Sequence, residues 1–293
     1  MMKILQQINR KQLLFLSLPL GIIFVLLSSS SAHSLGLKVT PLKYEESLEV
    51  GEQKSGYVDI ANPNDSSVLV RTSVEGFRQI NNQGDLEFFE DERLEAGITI
   101  DLEQFELGPR EAVRIQFDIN TNNLPEGGVY AALFFETDAQ EITGDISGIG
   151  TTARVGTLLI LQNGEGEVSG EISELAVPFW QFGTGITGNL SIYNEESERA
   201  VGFNPELAVK ITPWGERAEQ ESGLVLPGVT RDFDLVRRGD YIGILPVTVY
   251  DEATGQEAST WVFAVTGLWR FILPFLTLSI GASLILQRYF QKR

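Results

Sequence analysis

In the stretch AVRIQFDI at Ala112–Ile119, apolar and polar residues alternate from Val113 onward. Successive side chains of an extended chain point to opposite sides, so its apolar residues share one face. These residues are Val113, Ile115, Phe117 and Ile119. Alternation of this kind is typical of a strand in an antiparallel sheet that is buried on one side and exposed on the other.

The same period of two recurs in VLVRTSVEGF (68–77), ITGNLSIYN (186–194) and ELAVKITPW (206–214). Turn-forming segments such as NPND, NNQGD, LGPRE, NNLPEGG, NEESER and LPGVTR separate the strands. Between the two hydrophobic ends of the chain we find no long stretch with helical period. The pattern predicts an all-β protein made of two tandem immunoglobulin-like β-sandwich domains.

An approximate internal repeat supports two domains. Residues 105–137 and 224–252 each carry a leucine-and-proline turn, a strand, a glycine-bearing turn and a strand led by a tyrosine, Tyr130 or Tyr241. We therefore predict sandwiches at 35–163 and 164–267. The tripeptide Arg-Gly-Asp at 238–240 falls at the second glycine-bearing turn. We interpret it as a turn that leads into a strand, with Gly239 at positive φ and Asp240 capping the turn, rather than as a receptor signal.

Both ends of the chain are hydrophobic and basic. The N-terminus has a basic lead, an apolar run and a small-residue tail, which predicts a signal peptide at 1–34; an uncleaved anchor is the alternative. At the C-terminus, we predict a transmembrane helix at 268–287 and a basic cytoplasmic tail at 288–293. The residues expected to flank the membrane are Trp269, Arg270, Arg288, Tyr289, Lys292 and Arg293. The protein is then a single-pass protein of the cell membrane with residues 35–267 outside the cell.

The charge distribution argues against nucleic acid as a partner. The whole chain carries a net charge of −18, and its two hydrophobic ends carry seven positive charges and no acid, so residues 35–267 hold −25. Such a segment is repelled by phosphate backbones. A net negative charge of this size also keeps a protein soluble without any specific partner.

The side chains needed for common enzyme chemistry are scarce. The chain has no cysteine, and its one histidine, His33, lies in the predicted signal peptide. A Ser-His-Asp triad and a zinc site with nitrogen or sulfur ligands are therefore disfavoured. The acids Glu90, Asp91 and Glu92 have no feature that sets two of them apart as a catalytic pair. We predict that the protein is not an enzyme and has no cofactor.

Calcium is a weaker alternative. Oxygen ligands for this ion are available in NPND (Asn62–Asp65) and in the loop at 138–145. Asn and Asp are also the usual turn formers, and we favour turns over a metal site.

Four aromatic residues are candidates for binding a partner. Phe179, Trp180 and Phe182 lie within four residues at the start of the second predicted domain, and Trp214 ends the stretch ELAVKITPW. Such a cluster either plugs a core or hinge, or forms an exposed patch for a partner. The function that follows is a membrane-anchored binding or scaffold protein with a surface-protein or cell-wall partner. The alternative is a protein that binds cell-wall carbohydrate through Trp180 or Trp214, or hydrolyses it.

The segments LGPREAVRIQFDI, LPEGGVYAALFFE, ARVGTLLIL and LPGVTRDFDLVRRGDY resemble the two Ig-like domains of the WxL-interacting proteins of bacterial surfaces. More distantly, the first half is similar to the N-terminal domain of pilus chaperones. The first resemblance covers most of residues 35–293 as architecture, although the matched residues are short and mostly structural. It implies a signal peptide, two Ig-like domains, a C-terminal membrane helix and a scaffolding role between wall, membrane and surface proteins.

Overall fold

The computed structural model describes residues 36–137, 152–213, 215 and 217–291. Several predicted features lie outside these ranges and stay predictions: the signal peptide at 1–34, the loop at 138–145, Trp214, Lys292 and Arg293.

The first sandwich is built from two facing sheets. One has the strand order β1-β3-β8-β6, and the other has the order β2-β10-β9-β4-β5, with β7 beside β4. All pairs are antiparallel except β2 with β10. The elements are β1 (Lys38–Thr40), β2 (Lys43–Leu48), β3 (Gln53–Ala61), β4 (Val68–Gln79), β5 (Leu86–Phe89), α1 (Glu92–Gly97), β6 (Ile98–Ile100), β7 (Gln104–Leu107), β8 (Ala112–Asn120), the 3-10 turn η1 (Thr121–Asn123), β9 (Gly127–Thr137) and β10 (Arg154–Asn163).

The alternating stretch forms β8, at the centre of the first core. Ile115, Phe117 and Ile119 are almost completely buried, while Val113 is half-buried at the rim. The ring of Tyr44 meets that of Phe117 edge to face at 5.3 Å between centroids, a favoured geometry for aromatic pairs. The residues that predict the strand thus also close the core between the two sheets.

The second sandwich repeats this arrangement. Its sheets have the orders β11-β13-β16 and β12-β18-β17-β14-β15, and the parallel pair is now β12 with β18. The strands are β11 (Gly170–Ala176), β12 (Trp180–Gly183), β13 (Gly185–Asn194), β14 (Leu207–Ile211), β15 (Ala218–Glu219), β16 (Thr230–Arg238), β17 (Ile242–Asp251) and β18 (Gln256–Thr266). The fold prediction of two Ig-like sandwiches is confirmed.

Two buried asparagines show that the internal repeat is real at the level of structure. Asn62 follows β3 and Asn194 ends β13, which occupy equivalent places in the two sandwiches. The Asn62 side-chain amide donates to the carbonyl of Leu107 at 3.2 Å, and that of Asn194 donates to the carbonyl of Val225 at 3.1 Å. Each asparagine therefore holds the turn that precedes β8 or β16.

The tyrosines and glycines of the repeat differ from the prediction. Tyr241 packs in the core of the second sandwich, whereas Tyr130 lies on the outer face of its sheet. Gly127 has φ of +89°, but Gly239 is not in the positive-φ region. A Cβ at Gly239 would lie 2.6 Å from the Tyr241 ring. The prediction of a positive φ at Gly239 was wrong; close approach of a ring requires the glycine instead.

The C-terminal segment is a single helix, α2 (Trp269–Gln291), of 23 residues. None of its residues is buried against the sandwiches. At about 1.5 Å per residue it is about 34 Å long, enough to cross a hydrocarbon core of about 30 Å. It begins at Trp269 and reaches four residues beyond the predicted end at 287, so that Arg288 and Tyr289 lie in its last turns.

Candidate binding surfaces

An exposed aromatic cluster lies at the edge of the larger sheet of the second sandwich. Phe179, Trp180 and Phe182 expose 47%, 61% and 66% of their surface. The Trp180 and Phe182 rings are stacked with 6° between their planes and 6.3 Å between centroids. Phe179 meets Trp180 edge to face at 5.2 Å. The three side chains therefore do not plug a core, and their role in binding stays a prediction.

The cluster continues across the next two strands. Because β12 pairs with β18, Trp180 lies beside Phe263, with 5.1 Å between ring centroids. Trp261 exposes 59% and Ile244 62% on the same side of the sheet. We call this surface the aromatic face: Phe179, Trp180, Phe182, Ile244, Trp261 and Phe263.

Sequence reasoning missed Trp261, Phe263 and Ile244, although a signal was present. In STWVFAV (259–265) apolar residues occupy both alternating sets, and Val262 and Ala264 fill the core from one side. A strand that is apolar on both sides needs a cover on each face. Among the described residues the cover is complete on the core side, while Trp261 stays exposed on the other side.

The equivalent outer face of the first sandwich is covered by the second. Phe77, Ala132 and Phe134 are buried there in one cluster with Leu226, which lies in the turn before β16. We call this contact the joint. Its apolar residues explain why β9 is apolar on both faces, and why the aromatic face of the second sandwich differs from its counterpart.

Hydrogen bonds accompany the apolar contact at the joint. The Tyr130 hydroxyl accepts from the backbone amide of Gly202, and the Gly128 amide donates to the Ala200 carbonyl at 3.1 Å. Burial raises the pKa of Tyr130 from 10.0 to about 12, since an ionised phenol is poorly solvated there. Tyr130 thus takes part in both the apolar and the polar contacts between the sandwiches.

A cleft of about 490 Å³ opens beside the joint. We call it the junction cleft. Both sandwiches line it, with Glu45, Glu46, Tyr130, Ile160 and Gln162 on one side and Val201, Gly202 and Asn204 on the other. Clefts between domains are common binding sites because two walls contact one ligand.

The Arg-Gly-Asp tripeptide spans the last residue of β16 and the turn that leads into β17, as predicted. The Asp240 carboxylate accepts from the backbone amide of Leu268 at 2.7 Å, and the Gly239 carbonyl accepts from the Thr266 hydroxyl at 2.7 Å. The turn therefore binds the segment that leads into α2. This is a structural role that the tripeptide alone did not predict.

The acidic and asparagine-rich segments have structural partners. Besides Leu107, the Asn62 amide donates to the carbonyls of Ser66 and Gly108, and Asp65 pairs with Arg110 at 2.8 Å. Within the described ranges no group of three or more His, Asp or Glu side chains is placed to hold a metal ion.

In the acidic segment at 90–92, the Asp91 carboxylate accepts from the Arg93 amide at 2.9 Å and caps α1. This is the usual contribution of an aspartate at a helix N-terminus.

No protein-family model and no curated protein matches this chain. Similar solved structures include the class 5 fimbriae chaperone CfaA, with a TM-score of 0.44 and 10% identity over 78% of this chain and 100% of that chain. The CsuC–CsuE chaperone–tip adhesion subunit complex of Acinetobacter baumannii has a TM-score of 0.41 and 14% identity, over 77% and 97%. The E. coli chaperone DraB has 0.39 and 12%, over 79% and 98%. These neighbours are pilus chaperones with Ig-like domains, and at this identity the similarity concerns the fold alone.

Proposed function

We propose that this protein is a membrane-anchored, non-catalytic binding module that presents two Ig-like sandwiches to a surface-protein or cell-wall partner. In this proposal the sandwiches comprise 35–163 and 164–267 and lie outside the cell. The helix proposed at 268–287 crosses the cell membrane, and the tail at 288–293 is cytoplasmic. The resemblance to the WxL-interacting proteins implies the same role.

The observation that carries the proposal is the junction cleft. A partner in this cleft contacts β10 of the first sandwich and residues 201–204 of the second at once. The joint holds both walls in place through buried apolar residues. A prearranged cleft lowers the entropic cost of binding compared with two domains on a flexible linker.

The strand beside the cleft supports a protein partner. Within the described chain, β2 pairs on one side only, with β10, and ends the sheet order. An open strand edge can accept an extended peptide through main-chain hydrogen bonds. Glu45 and Glu46 of β2 lie at the cleft, so a neutral or basic segment fits this edge better than an acidic one.

Chemical cross-linking in intact cells, followed by purification of the tagged full chain, tests this proposal. We expect a reproducible partner that is recovered about tenfold less with Gln162→Arg or Asn204→Trp, because both changes fill the cleft. Gln83→Arg, at an exposed turn outside the cleft, serves as the matched control. Equal recovery with all variants contradicts a partner in the cleft.

Protease added to intact cells checks the orientation. Digestion of the sandwiches only after the cell membrane is broken contradicts an extracellular module.

A second candidate function is binding of cell-wall carbohydrate. The parallel, exposed rings of Trp180 and Phe182 favour it, since sugars pack against exposed aromatic faces as apolar surfaces do. Sedimentation of the full chain with isolated peptidoglycan tests this, with Trp180→Ala and Trp214→Ala as variants. Binding that both variants retain argues against it.

A further inference from the structure

The aromatic face is continuous with the predicted membrane helix. Strand β18 ends at Thr266 and α2 begins at Trp269, so two residues connect them. The Gly267 amide donates to the carbonyl of Gly183 at 2.8 Å, and Gly183 directly follows Phe182. The stacked rings of Trp180 and Phe182 therefore lie close to Gly267, which leads into the helix.

The strands that carry the aromatic face contain unusually few charged residues. Charged residues make up 21% of the chain, yet none occurs in 175–194, 241–250 or 258–269. These segments contain β12, most of β17 and most of β18. A surface next to a bilayer avoids carboxylates because anionic headgroups repel them and partial burial desolvates them. The acids of this acidic chain lie elsewhere.

The dimensions bring the face within reach of the lipid headgroups. A helix of about 34 Å places Trp269 at the edge of a hydrocarbon core of about 30 Å, with a polar layer of about 6–7 Å beyond it. At about 3.3 Å per residue, the partner of Phe182 in β18, Val265, lies within about 13 Å of Trp269 along the chain. A sheet that inclines toward the membrane plane then places the whole face in that layer.

We propose that the aromatic face lies on the bilayer, with its rings at the boundary between headgroups and acyl chains. Trp and Phe are residues that favour this boundary. The two sandwiches thus bury equivalent sheet faces in different ways: the first against protein at the joint, the second against lipid. The inference rests on the proposed function only in requiring that α2 crosses the membrane.

This contact also orients the module. With the second sandwich resting on the lipid surface, the joint holds the first sandwich, with its share of the junction cleft, in one direction relative to the membrane. The hydrogen bonds of Gly267 and Leu268 to the second sandwich hold the start of the helix beside the same face.

Fluorescence quenching by brominated lipids tests the proposal on the full chain in nanodiscs. The chain has four tryptophans, so single-tryptophan proteins are made by changing the others to Phe. Proteins that keep Trp180, Trp261 or Trp269 are compared with one that carries Tyr57→Trp as its single tryptophan, because Tyr57 is exposed on the first sandwich. We expect brominated lipid to remove about half or more of the fluorescence of Trp180 and Trp269, less of that of Trp261, and almost none at position 57.

The outcomes separate the two proposals. Quenching of Trp269 without quenching of Trp180 overturns the lipid contact and leaves the anchor intact. Cross-linking between copies, or protection of the aromatic face by glycan, then identifies what covers this face instead. Absence of quenching at Trp269 overturns the anchor itself.

A spin label provides a second readout should a tryptophan variant fail to fold. The chain has no cysteine, so Ile244→Cys and Tyr57→Cys can each be labelled at one site. At 244 we expect greater accessibility to oxygen than to a water-soluble nickel complex, and the reverse at 57. The proposal is overturned if the label at 244, like the label at 57, is more accessible to the nickel complex than to oxygen.

Discussion

The carboxylate of Asp240 accepts a hydrogen bond from the backbone amide of Leu268 at 2.7 Å. Asp240 belongs to the turn between β16 and β17, and Leu268 immediately precedes α2. This bond ties the second sandwich to the start of the helix. A Cβ added at Gly267 would clash with the same carboxylate. The connection between β18 and α2 is therefore closely packed.

Asp240→Ala is expected to loosen the start of α2. The change leaves the Leu268 amide without its acceptor, which costs about 1 kcal/mol at a partly exposed site. Hydrogen exchange of the amides at 268–272 in nanodiscs should become several-fold faster. Asp240→Asn keeps an oxygen acceptor and should change exchange much less; equal acceleration in both variants would show that the hydrogen bond is not the cause.

Tyr130→Phe is expected to weaken the joint. The Gly202 amide then loses its partner at a partly buried position, with an expected loss of about 1 kcal/mol in the free energy of unfolding. Denaturant unfolding of the full chain in detergent measures the change. Tyr57→Phe is the matched control, since the Tyr57 side chain is exposed, and it should alter stability by less than about 0.5 kcal/mol.

Alkaline pH is expected to destabilise the joint through Tyr130. Its pKa is raised from 10.0 to about 12 in the fold because burial disfavours the phenolate. The unfolded chain therefore releases this proton first, and the stabilisation is complete below pH 10 and is lost as the pH rises through 12. The contribution is on the order of 2–3 kcal/mol.

The comparison with Tyr130→Phe isolates this residue from the other groups that titrate in the same range. The stability of the wild-type protein should fall more steeply between pH 10 and pH 12 than that of the variant. Parallel curves would contradict the raised pKa.

Asn62→Ala and Asn194→Ala test whether the joint couples the two sandwiches. Each change removes a buried amide that holds a turn, with an expected loss of about 2 kcal/mol. If the joint couples the domains, either variant lowers the stability of both, and unfolding remains one transition. Asn123→Ala, which removes one exposed hydrogen bond to Ala96, is the control. Two separate transitions would show that the domains unfold independently.

Much of the fold was predictable because it depends on local patterns. The alternation of Ile115, Phe117 and Ile119 reflects the geometry of an extended chain, which is the same in any sheet. The turn residues before β8 and β16 are recognisable for the same reason. The face of the sheet that each tyrosine of the repeat occupies was not predictable. Tyr130 and Tyr241 hold matching places in the repeat, yet Tyr241 packs in the core and Tyr130 lies on the outer face.

The candidate site was only partly predictable. Phe179, Trp180 and Phe182 are adjacent in sequence, so composition alone singled them out. Trp261 and Ile244 lie on other strands, and only the pairing of β12, β18 and β17 places them on the same face. Separation along the chain hides such a surface until the strand register is known.

The sequence by itself determined the strands, the repeated sandwich and the apolar C-terminal helix, because these follow from periodicity, turn chemistry and length. Tertiary structure alone decided which apolar sheet faces are covered. Leu226 of the second sandwich joins Phe77, Ala132 and Phe134 in one buried cluster at the joint, whereas Trp180 remains exposed beside the start of α2. The physical reason is that burial depends on what packs opposite a face, and that partner comes from a distant part of the chain.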